Sequence, residues 1–217
     1  MITKHVHTIT EPLKHGITRF CQWPDRFNHR TSITYMIATT NRPSLAKTLE
    51  SIELRAGDEI LVNWREVPPN TWGHTERNEM IPLARCAWFC FIDDDDWYLP
   101  GHRAIQQDAM ETQPGGRDVP TIFKMRFLGG KVLYDDTKLD KHGRPDLVCG
   151  NIGTPMFLIP NVPNMLGAGF AERYIGDYDF INGVRWPRRQ FYWRPEVLIQ
   201  NGNDICPAAQ RDLKRKP

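Results

Sequence analysis

The apolar run Trp88–Ile92 is followed at once by four aspartates, Asp93–Asp96, and this junction constrains the fold more than any other segment. A run of this kind is typical of a strand that is buried on both faces. Neighbouring carboxylates repel each other by about 1 kcal/mol per pair in water, and by several times more near a protein surface. Four of them at the end of a buried strand therefore predict a nearby cation, and oxygen ligands suit Mg²⁺ or Mn²⁺.

The four aspartates are expected to divide into two pairs. Alternate side chains of an extended backbone share a face, so Asp93 and Asp95 should point one way and Asp94 and Asp96 the other. One pair could then hold the metal while the other caps the following helix. The alternative is a solvated acidic loop, which the apolar run before it disfavours.

The composition is that of one domain with one sizeable core. The chain has 217 residues, of which 40% are hydrophobic, and its formal net charge of +2 does not by itself predict a nucleic-acid partner. No apolar stretch approaches the ~20 residues that span a bilayer, and the N-terminus lacks the apolar core of a signal peptide. Five cysteines without a framework spacing predict reduced thiols. We therefore expect a cytoplasmic protein.

Strand and helix patterns alternate over residues 32–112. The predicted strands are Ile33–Ala38, Glu59–Val62 and Trp88–Ile92, and the predicted helices begin at Pro43, cover residues 75–86 and cover Leu99–Met110. Two β/α repeats and a third strand imply an α/β fold with a mostly parallel central sheet flanked by helices. Ligand sites of such sheets lie at the carboxyl ends of the strands, where Thr39–Arg42 and the aspartates are expected.

The other segments are less regular. Residues 1–31 are polar and weakly periodic, and we interpret them as an extension that wraps or caps the domain. Short strands are predicted at Thr121–Phe127, Lys131–Tyr134, Leu147–Cys149, Pro155–Ile159 and Gln190–Ile199, with a helix over residues 178–185. These strands would form a small second sheet, so residues 32–217 are expected to be one domain with halves 32–112 and 113–217.

The order of these motifs resembles the GT-A fold glycosyltransferases, especially those of the family 2 type. The resemblance is carried by Ile33–Ile52, Glu59–Val62, Glu76–Gly101 and Phe170–Arg185. It implies the GT-A nucleotide-diphosphosugar transferase fold, with a nucleotide-sugar donor that is favoured to be a UDP-sugar. It also implies a divalent metal, Mn²⁺ or Mg²⁺, as cofactor, and transfer of the sugar to an acceptor hydroxyl.

By this resemblance the aspartates form the metal and donor site. Asp93 and Asp95 match the family's DxD motif, whose carboxylates hold the cation that bridges the donor's diphosphate. Asp95 is the first candidate for direct metal contact, and Asp93 would also face the nucleotide. Asp94 joins the donor-binding candidates, and Asp96 matches an extra acid with a supporting role.

Two basic side chains complete the implied donor site. Thr39 and Arg42 match the end of the first strand, where the family contacts the nucleotide. Arg77, beside Asn78, matches the helix before the acidic motif. Its planar guanidinium would pair with phosphate or with the acidic cluster.

Asp177 matches the second acid of the family's Glu-Asp motif and is the candidate general base. The acceptor hydroxyl must lose a proton as it attacks the anomeric carbon, and a carboxylate at that position contributes typically ~10²–10⁴-fold. Inversion at the anomeric carbon would follow. The alternative is that Asp177 caps the following helix, although Asp179 could do so or could orient an arginine. The chain departs from the family at Gly176, which stands in place of the Glu.

Other positions leave alternatives open. The acid pair that the family often has after the second strand is Asn63 and Trp64 here. Asn63 could bond a base edge, and Trp64 could stack on the base. His102 and His142 could complete a metal site, although a lone histidine is more often a surface or capping residue.

The segment Arg185–Arg194 interleaves arginines with aromatic residues. This pattern suits stacking on bases or sugars with arginines on phosphates, and the alternative is a late strand with exposed arginines. Arg188 and Trp193 are the candidate acceptor-binding residues. Small phage-type GT-A enzymes that glycosylate hydroxymethylated pyrimidines in DNA are a subgroup that the chain could resemble. DNA is therefore a candidate acceptor, and the host cytoplasm would then be the location.

Two other functions remain open on the sequence. A nucleotidyltransferase or metal phosphohydrolase could use the same aspartates, and it would release pyrophosphate or cleave phosphoesters. A non-catalytic nucleotide-sugar-binding module would keep the fold without the reaction. The departures at Asn63 and Gly176 are the argument for such a module.

Overall fold

One mixed sheet of ten strands forms the centre of the fold. The computed structural model describes residues 9–12, 16–21, 29–65, 72–113, 119–135, 137, 147, 149–162, 166–167, 169–173, 175–184 and 191–202. The strands are β1 (Ile9–Pro12), β2 (Ile17–Cys21), β3 (Ile33–Thr39), β4 (Glu59–Trp64), β5 (Trp88–Asp93), β6 (Asp96–Tyr98), β7 (Thr121–Phe127), β8 (Val132–Leu133), β9 (Phe157–Pro160) and β10 (Tyr192–Asn201). The helices are α1 (Leu45–Ser51), α2 (His74–Met80), α3 (His102–Thr112) and α4 (Gly176–Gly183), with short 3-10 turns at His29–Thr31, Ile81–Leu83 and Thr154–Met156.

The strand order is β1-β2-β4-β3-β5-β9-β7-β10-β6, and β8 pairs with β7. β3 lies parallel to β4 and to β5, as the β/α repeats predict, and β7 lies parallel to β10. The remaining pairings are antiparallel. The prediction of a mostly parallel sheet with a small second sheet is therefore wrong. The short strands of the second half join the same sheet, and several lack the long crossover that parallel pairing needs.

Two strands at one side of the sheet come from residues 1–31, and β1 is the edge strand. β2 pairs antiparallel with β4, from Ile17 opposite Asn63 to Cys21 opposite Glu59, and β1 pairs with β2. The sequence pattern does not predict β2, because a charged residue, Arg19, lies on the buried face of this strand. Arg19 Nε is 3.1 Å from a carboxylate oxygen of Glu59. These strands extend the sheet beyond β4.

The helix boundaries differ from the predicted ones for local reasons. α2 ends at Met80, because Pro82 belongs to a separate 3-10 turn rather than to a continuous helix. α3 begins at His102 because the chain first forms β6, a strand that pairs with β10 and that the sequence analysis missed. No helix among the described residues is both long and apolar enough to cross a membrane.

A buried ion pair ties α3 to the starts of β3 and β4. Arg103 Nε and Nη2 lie 2.7 and 3.0 Å from the two carboxylate oxygens of Asp58, and both side chains are almost fully buried. The same carboxylate accepts hydrogen bonds from the backbone N–H groups of Ile33 and Arg55, each at 2.9 Å. This one carboxylate therefore joins three elements at the edge of the sheet opposite the aspartates.

Candidate functional site

The four aspartates occupy the turn between β5 and β6. Asp93 ends β5 and Asp96 begins β6. The side chains of Asp93 and Asp95 are 34% and 25% exposed, whereas that of Asp94 is 7% exposed and Asp96 is fully buried. The predicted division into an outward pair and an inward pair is confirmed.

The inward-facing Asp94 fixes the end of β3. Its Oδ2 accepts hydrogen bonds from Thr39 Oγ1 at 2.8 Å and from the backbone N–H of Thr40 at 3.3 Å. The hydroxyl oxygen of Thr39 in turn accepts from the backbone N–H of Asn41 at 2.8 Å. The prediction that the inward pair caps the next helix is wrong, because Asp94 bonds the end of β3, Asp96 bonds Gly202, and the N–H of Gly101 before α3 donates to Glu53 instead.

Asp96 is held by the end of β10. Its Oδ1 accepts a hydrogen bond from the backbone N–H of Gly202 at 3.2 Å. Burial, followed by the charges of Asp93 and Asp95, raises the pKa of Asp96 well above its usual range. A Cβ at Gly202 would lie only 2.0 Å from the carbonyl oxygen of Asp95. Glycine is therefore required there, and the last strand of the sheet sets the position of the acidic turn.

Each outward-facing carboxylate is paired with an arginine. Arg77 Nη2 donates to Asp93 Oδ1, and Arg42 Nη1 lies 2.9 Å from Asp95 Oδ2 and 3.5 Å from Asp94 Oδ1. The Arg77 side chain is 6% exposed, whereas that of Arg42 is 52% exposed. Arg77 is thus a fixed part of the site, and Arg42 lies where a phosphate could compete for it.

The outward pair meets the chemical requirements for a divalent cation. Burial raises the pKa of Asp95, the charge of Asp93 raises it further, and Arg42 opposes the shift. The ionised form of Asp95 is therefore disfavoured, and a nearby cation would stabilise it. The described residues contain no group of three His, Cys, Asp or Glu side chains placed to hold a metal. Mg²⁺ commonly takes one or two carboxylates, with substrate phosphates and water as the other ligands, so two carboxylates fit.

The two histidines that were considered as metal ligands have different outcomes. His102 Nε2 accepts from the backbone N–H of Glu53 at 3.0 Å, and its Nδ1 lies 3.3 Å from Gln106 Oε1. Both ring nitrogens are thus engaged inside the fold, and the ring stacks on Tyr98 at 4.1 Å between centroids. His142 lies outside the described residues.

His74, at the start of α2, is a site residue that the sequence analysis missed. Its Nδ1 lies 3.2 Å from Arg77 Nη1, and its Nε2 lies 3.1 Å from the carbonyl oxygen of Arg173. A guanidinium only donates, so Nδ1 accepts and Nε2 carries the proton that it donates to the carbonyl. Burial and then the charge of Arg77 lower the pKa of His74 to about 4, so the ring is neutral. His74 thereby joins Arg77 to the loop that leads into α4.

The neighbouring Asn78 and an aromatic cluster position α4. Asn78 Nδ2 donates to the backbone carbonyl of Phe170 at 2.9 Å, and Asn78 Oδ1 accepts from the backbone N–H of Phe170 at 2.7 Å. The Phe170 ring stacks on Phe180 of α4 at 4.1 Å, and both rings meet the edge of Phe91 at 5.1 and 5.7 Å. Phe91 lies in β5, two residues before Asp93, so this cluster brings α4 to the acidic turn.

Asp177 lies in the first turn of α4 and is partly buried. Burial raises its pKa to about 6, Asp93 adds to the shift, and the backbone N–H of Tyr178 and the charge of Arg77 oppose it. Its Oδ1 accepts from that N–H at 3.1 Å, and no side chain caps the helix. Asp179 instead forms a two-bond pair with Arg173. Asp177 is therefore a carboxylate that is within electrostatic range of Arg77 and Asp93.

The glycine at position 176 has a steric reason. A Cβ there would lie 2.4 Å from His74 Nε2 and 2.5 Å from the carbonyl oxygen of Ala171. His74 therefore fills the space that a glutamate side chain would need. The glycine at position 176 and the buried His74 are therefore one structural feature.

Asn63 and Trp64 are the last two residues of β4 and face opposite sides of the sheet. Asn63 is buried, and its Nδ2 donates to the carbonyl of Glu76 at 3.2 Å and to Glu79 Oε2 at 2.9 Å, toward α2. Trp64 is 54% exposed and lines a largely apolar cavity of about 300 Å³. The same cavity is lined by Thr39, Asn41, Leu45, Leu49, Val62, Thr18 and Phe20. An apolar slot beside an exposed indole could accept a planar ring.

The two candidate acceptor residues can be placed only in part. Arg188 lies outside the described residues. Trp193 is half-buried in β10 and meets the edge of Tyr134 at 4.6 Å. It packs against the core cluster, so it supports Tyr134 from within the sheet.

No family model matches this sequence, and no curated protein matches it. Among solved structures, a fragment of S. aureus TarS, residues 1–349, is similar with a TM-score of 0.61 and 10% identity. The match covers 78% of this chain and 60% of that fragment. S. aureus TarS itself matches with a TM-score of 0.56 and 10% identity, covering 85% of this chain and 38% of that chain.

The same TarS fragment in complex with UDP-GlcNAc matches with a TM-score of 0.55 and 10% identity, over 78% of this chain and 58% of the fragment. This chain therefore spans less than two thirds of the length of the TarS chains that it resembles. At such identity the likeness shows a shared mixed α/β fold.

Proposed function

We propose that this chain is a metal-dependent, inverting glycosyltransferase that moves a sugar from a UDP-sugar to an acceptor hydroxyl. The observation that carries the proposal is a convergence at one edge of the sheet. Two outward-facing carboxylates, Asp93 and Asp95, lie there with Arg42, Arg77 and the raised-pKa carboxyl of Asp177. The fold is shared with a protein that was crystallised with UDP and with UDP-GlcNAc, which supports a nucleotide-sugar donor.

The donor's charged and apolar parts have separate partners in this proposal. Arg42, exposed beside Asp95, contacts the diphosphate, and Arg77 stays on Asp93 and keeps that carboxylate aimed outward. The nucleobase enters the apolar cavity and stacks on Trp64. Asn63 serves the site indirectly through α2, which its side chain contacts. Thr39 holds Asp94 through its hydroxyl and also lines the cavity that the nucleobase enters.

Asp177 takes the proton in the transfer step. The acceptor oxygen forms a bond to the anomeric carbon while the bond from that carbon to the diphosphate oxygen breaks, and UDP leaves with the electron pair. The proton of the acceptor hydroxyl passes to the Asp177 carboxylate, and attack opposite the leaving group inverts the anomeric carbon. A divalent cation held by Asp93 and Asp95 would stabilise the charge on the departing diphosphate.

Calorimetric titration with UDP and UDP-GlcNAc, in Mn²⁺ or Mg²⁺ and then in excess chelator, tests the donor site. We expect binding that chelation abolishes, and a loss in Asp95→Asn of at least about tenfold in affinity, because loss of a group that only supports a metal ligand already costs about 10–100-fold. Glu111→Gln is the matched control, since it makes the same carboxylate-to-amide change on an exposed side chain of α3. Binding that is indifferent to chelator and to Asp95→Asn would overturn the metal assignment.

Product analysis separates the proposal from its rivals. Glycosyl transfer yields UDP, whereas a nucleotidyltransferase yields pyrophosphate and a phosphohydrolase yields cleaved phosphoester. Duplex DNA with 5-hydroxymethylpyrimidine is one acceptor to include, as predicted from the arginine- and aromatic-rich segment. Absence of transfer to it with every donor that binds would remove DNA from the acceptors.

Two replacements of His74 test its link to Arg77. His74→Asn can keep an acceptor at the position of Nδ1, whereas His74→Gln can keep only the donor at the position of Nε2. We expect His74→Gln to weaken UDP-GlcNAc binding about tenfold, because Arg77 loses a buried acceptor worth about 1–3 kcal/mol. His74→Asn should lose less than half as much in binding free energy.

Thr75→Ala is the control for this pair. Thr75 Oγ1 donates to Glu172 at 2.6 Å, so this variant removes another link between α2 and the same loop without touching Arg77. Equal losses in His74→Asn and His74→Gln would show that His74 only fills space.

A further inference from the structure

A second cavity, of about 440 Å³, lies in the half of the chain that follows α3. Its polar lining comes from Lys124, Lys131, Asp135, Thr137 and Asn151, and the ring of Tyr134 forms part of its wall. The volume is within the range of small-molecule sites, roughly 300–1,000 Å³. The donor site described above uses none of these residues.

The sheet places this cavity near the acidic turn. Asn201 of β10 pairs with Phe127, the last residue of β7, and on its other side with Asp96. Phe127 therefore lies two strand spacings, about 10 Å, from Asp96. Lys131 faces Phe127 across the hairpin, because its carbonyl accepts the Phe127 N–H at 2.8 Å. One acceptor molecule could reach from the cavity to the turn.

The lining has a buried hydrogen-bond donor without a partner. Asn151 is 1% exposed, and its Oδ1 accepts from the backbone N–H of Asp135 at 2.8 Å, which fixes the orientation of the amide. Its Nδ2 has no hydrogen-bond partner in the part of the chain that the structure describes. Buried polar groups are nearly always paired, so an orphaned donor at the wall of a cavity points to a ligand acceptor.

The charges of the lining also favour an acceptor-rich ligand. Lys124, Lys131 and Asp135 all line the cavity, and the Lys124 ammonium lies 5.2 Å from the centre of the Tyr134 ring. Asp135 Oδ1 already accepts from the N–H of Thr137 at 2.9 Å and from its Oγ1 at 2.6 Å. The lining thus brings two cationic side chains and one carboxylate together, and Oδ1 of that carboxylate is engaged within the turn.

We propose that this cavity binds an anionic oxygen group, a phosphate or a carboxylate, of the acceptor. The assignment to the acceptor rests on the proposed function, since the donor's diphosphate is matched by Arg42 and the aspartate turn. The acceptor is held by its anionic group at Asn151 and Lys131 while its hydroxyl reaches the acidic turn.

The test is an NMR titration that follows the side-chain amide of Asn151 at constant ionic strength. Inorganic phosphate, dimethyl phosphate and acetate are the probes, and they distinguish a phosphate group from a carboxylate. We expect at least one probe to give a saturable shift of the Asn151 amide. In Lys131→Gln the affinity should fall about tenfold, as expected for loss of one charge-assisted contact.

Arg55→Gln is the matched control, because it removes an exposed positive charge at the opposite edge of the sheet. It should leave the titration unchanged. A shift at Asn151 that does not saturate, or equal weakening in Lys131→Gln and Arg55→Gln, would overturn the site. Asn151→Asp replaces the donor by a carboxylate. In this variant the NMR signals of Lys131 should no longer shift when the anion is added.

Donor titration with UDP-GlcNAc keeps this inference separate from the proposed function. Lys131→Gln should leave donor affinity unchanged while it raises the KM for the acceptor. Donor binding that falls together with anion binding in Lys131→Gln would assign the cavity to the donor and overturn its acceptor role. Saturable anion binding in a chain that binds no donor would contradict the proposed function and leave only an anion site.

Discussion

Asp177→Asn is expected to lower the rate of sugar transfer by about 10²–10⁴-fold and to leave donor affinity nearly unchanged. Asparagine keeps the size of the side chain and an oxygen for the Tyr178 N–H, but it cannot accept the proton of the acceptor hydroxyl. The measurement is kcat with saturating donor and acceptor, beside the calorimetric Kd for the donor. Asp179→Asn is the matched control, since Asp179 lies on the same helix turn and pairs with Arg173.

The pH dependence of the rate is the second readout of the same residue. Burial raises the pKa of Asp177 to about 6, and a general base must be ionised. The rate of the wild-type chain should therefore fall as the pH drops through about 6, and the residual rate of Asp177→Asn should lack this fall. A wild-type rate that is flat over roughly pH 5–7 would contradict the role of Asp177 as base.

Asp177→Asn should also stabilise the fold above pH 6, as the pKa of about 6 implies. The folded state holds the Asp177 proton more tightly than the unfolded state does, so stability is lost as the pH rises through the folded pKa. The neutral amide removes this loss, which we expect to amount to about 1–3 kcal/mol at pH 7.5 and to vanish near pH 4. Chemical denaturation at the two pH values measures it. A purely helix-capping aspartate would give the opposite sign.

Asp58→Ala is expected to lower the free energy of unfolding by about 3–5 kcal/mol. Removing this carboxylate leaves the Arg103 guanidinium buried without its counter-charge and leaves the backbone N–H groups of Ile33 and Arg55 without their acceptor. Denaturant unfolding followed by tryptophan fluorescence gives the free energy.

The exposed pair of Arg194 with Asp108 is the control. Their atoms lie 2.8 Å apart, comparable to the buried pair, but Asp108 is 54% exposed. Asp108→Ala should therefore cost no more than about 1 kcal/mol, because water screens the pair. Similar losses in the two variants would show that burial does not set the strength of the Asp58 pair.

The sequence determined the parts of this protein that depend on local pattern. A continuous apolar run predicted the buried strand β5, and the period of two predicted that Asp93 and Asp95 face outward while Asp94 and Asp96 face inward. The β/α repeats correctly predicted the parallel contacts of β3 with β4 and β5. Both predictions concern neighbours in the chain or a connection whose geometry is restricted.

The tertiary structure decided the pairing of the second half and of residues 1–31. A short antiparallel strand can pair with any of several other strands. Its own sequence does not identify the strand with which it pairs. In β2, the buried Arg19 also masks the alternating pattern, because its partner Glu59 is distant in sequence. The mixed sheet follows from these long-range pairings.

The tertiary structure also decided which side chains complete the candidate site. His74 has no local signal, since its role depends on Arg77 on one side and on a carbonyl about a hundred positions later on the other. Gly202 contacts the acidic turn only because β10 lies beside β6. Periodicity predicts which face of the sheet a residue occupies. Contacts between distant segments depend on the packing of the whole sheet, and these contacts position the side chains of the candidate site.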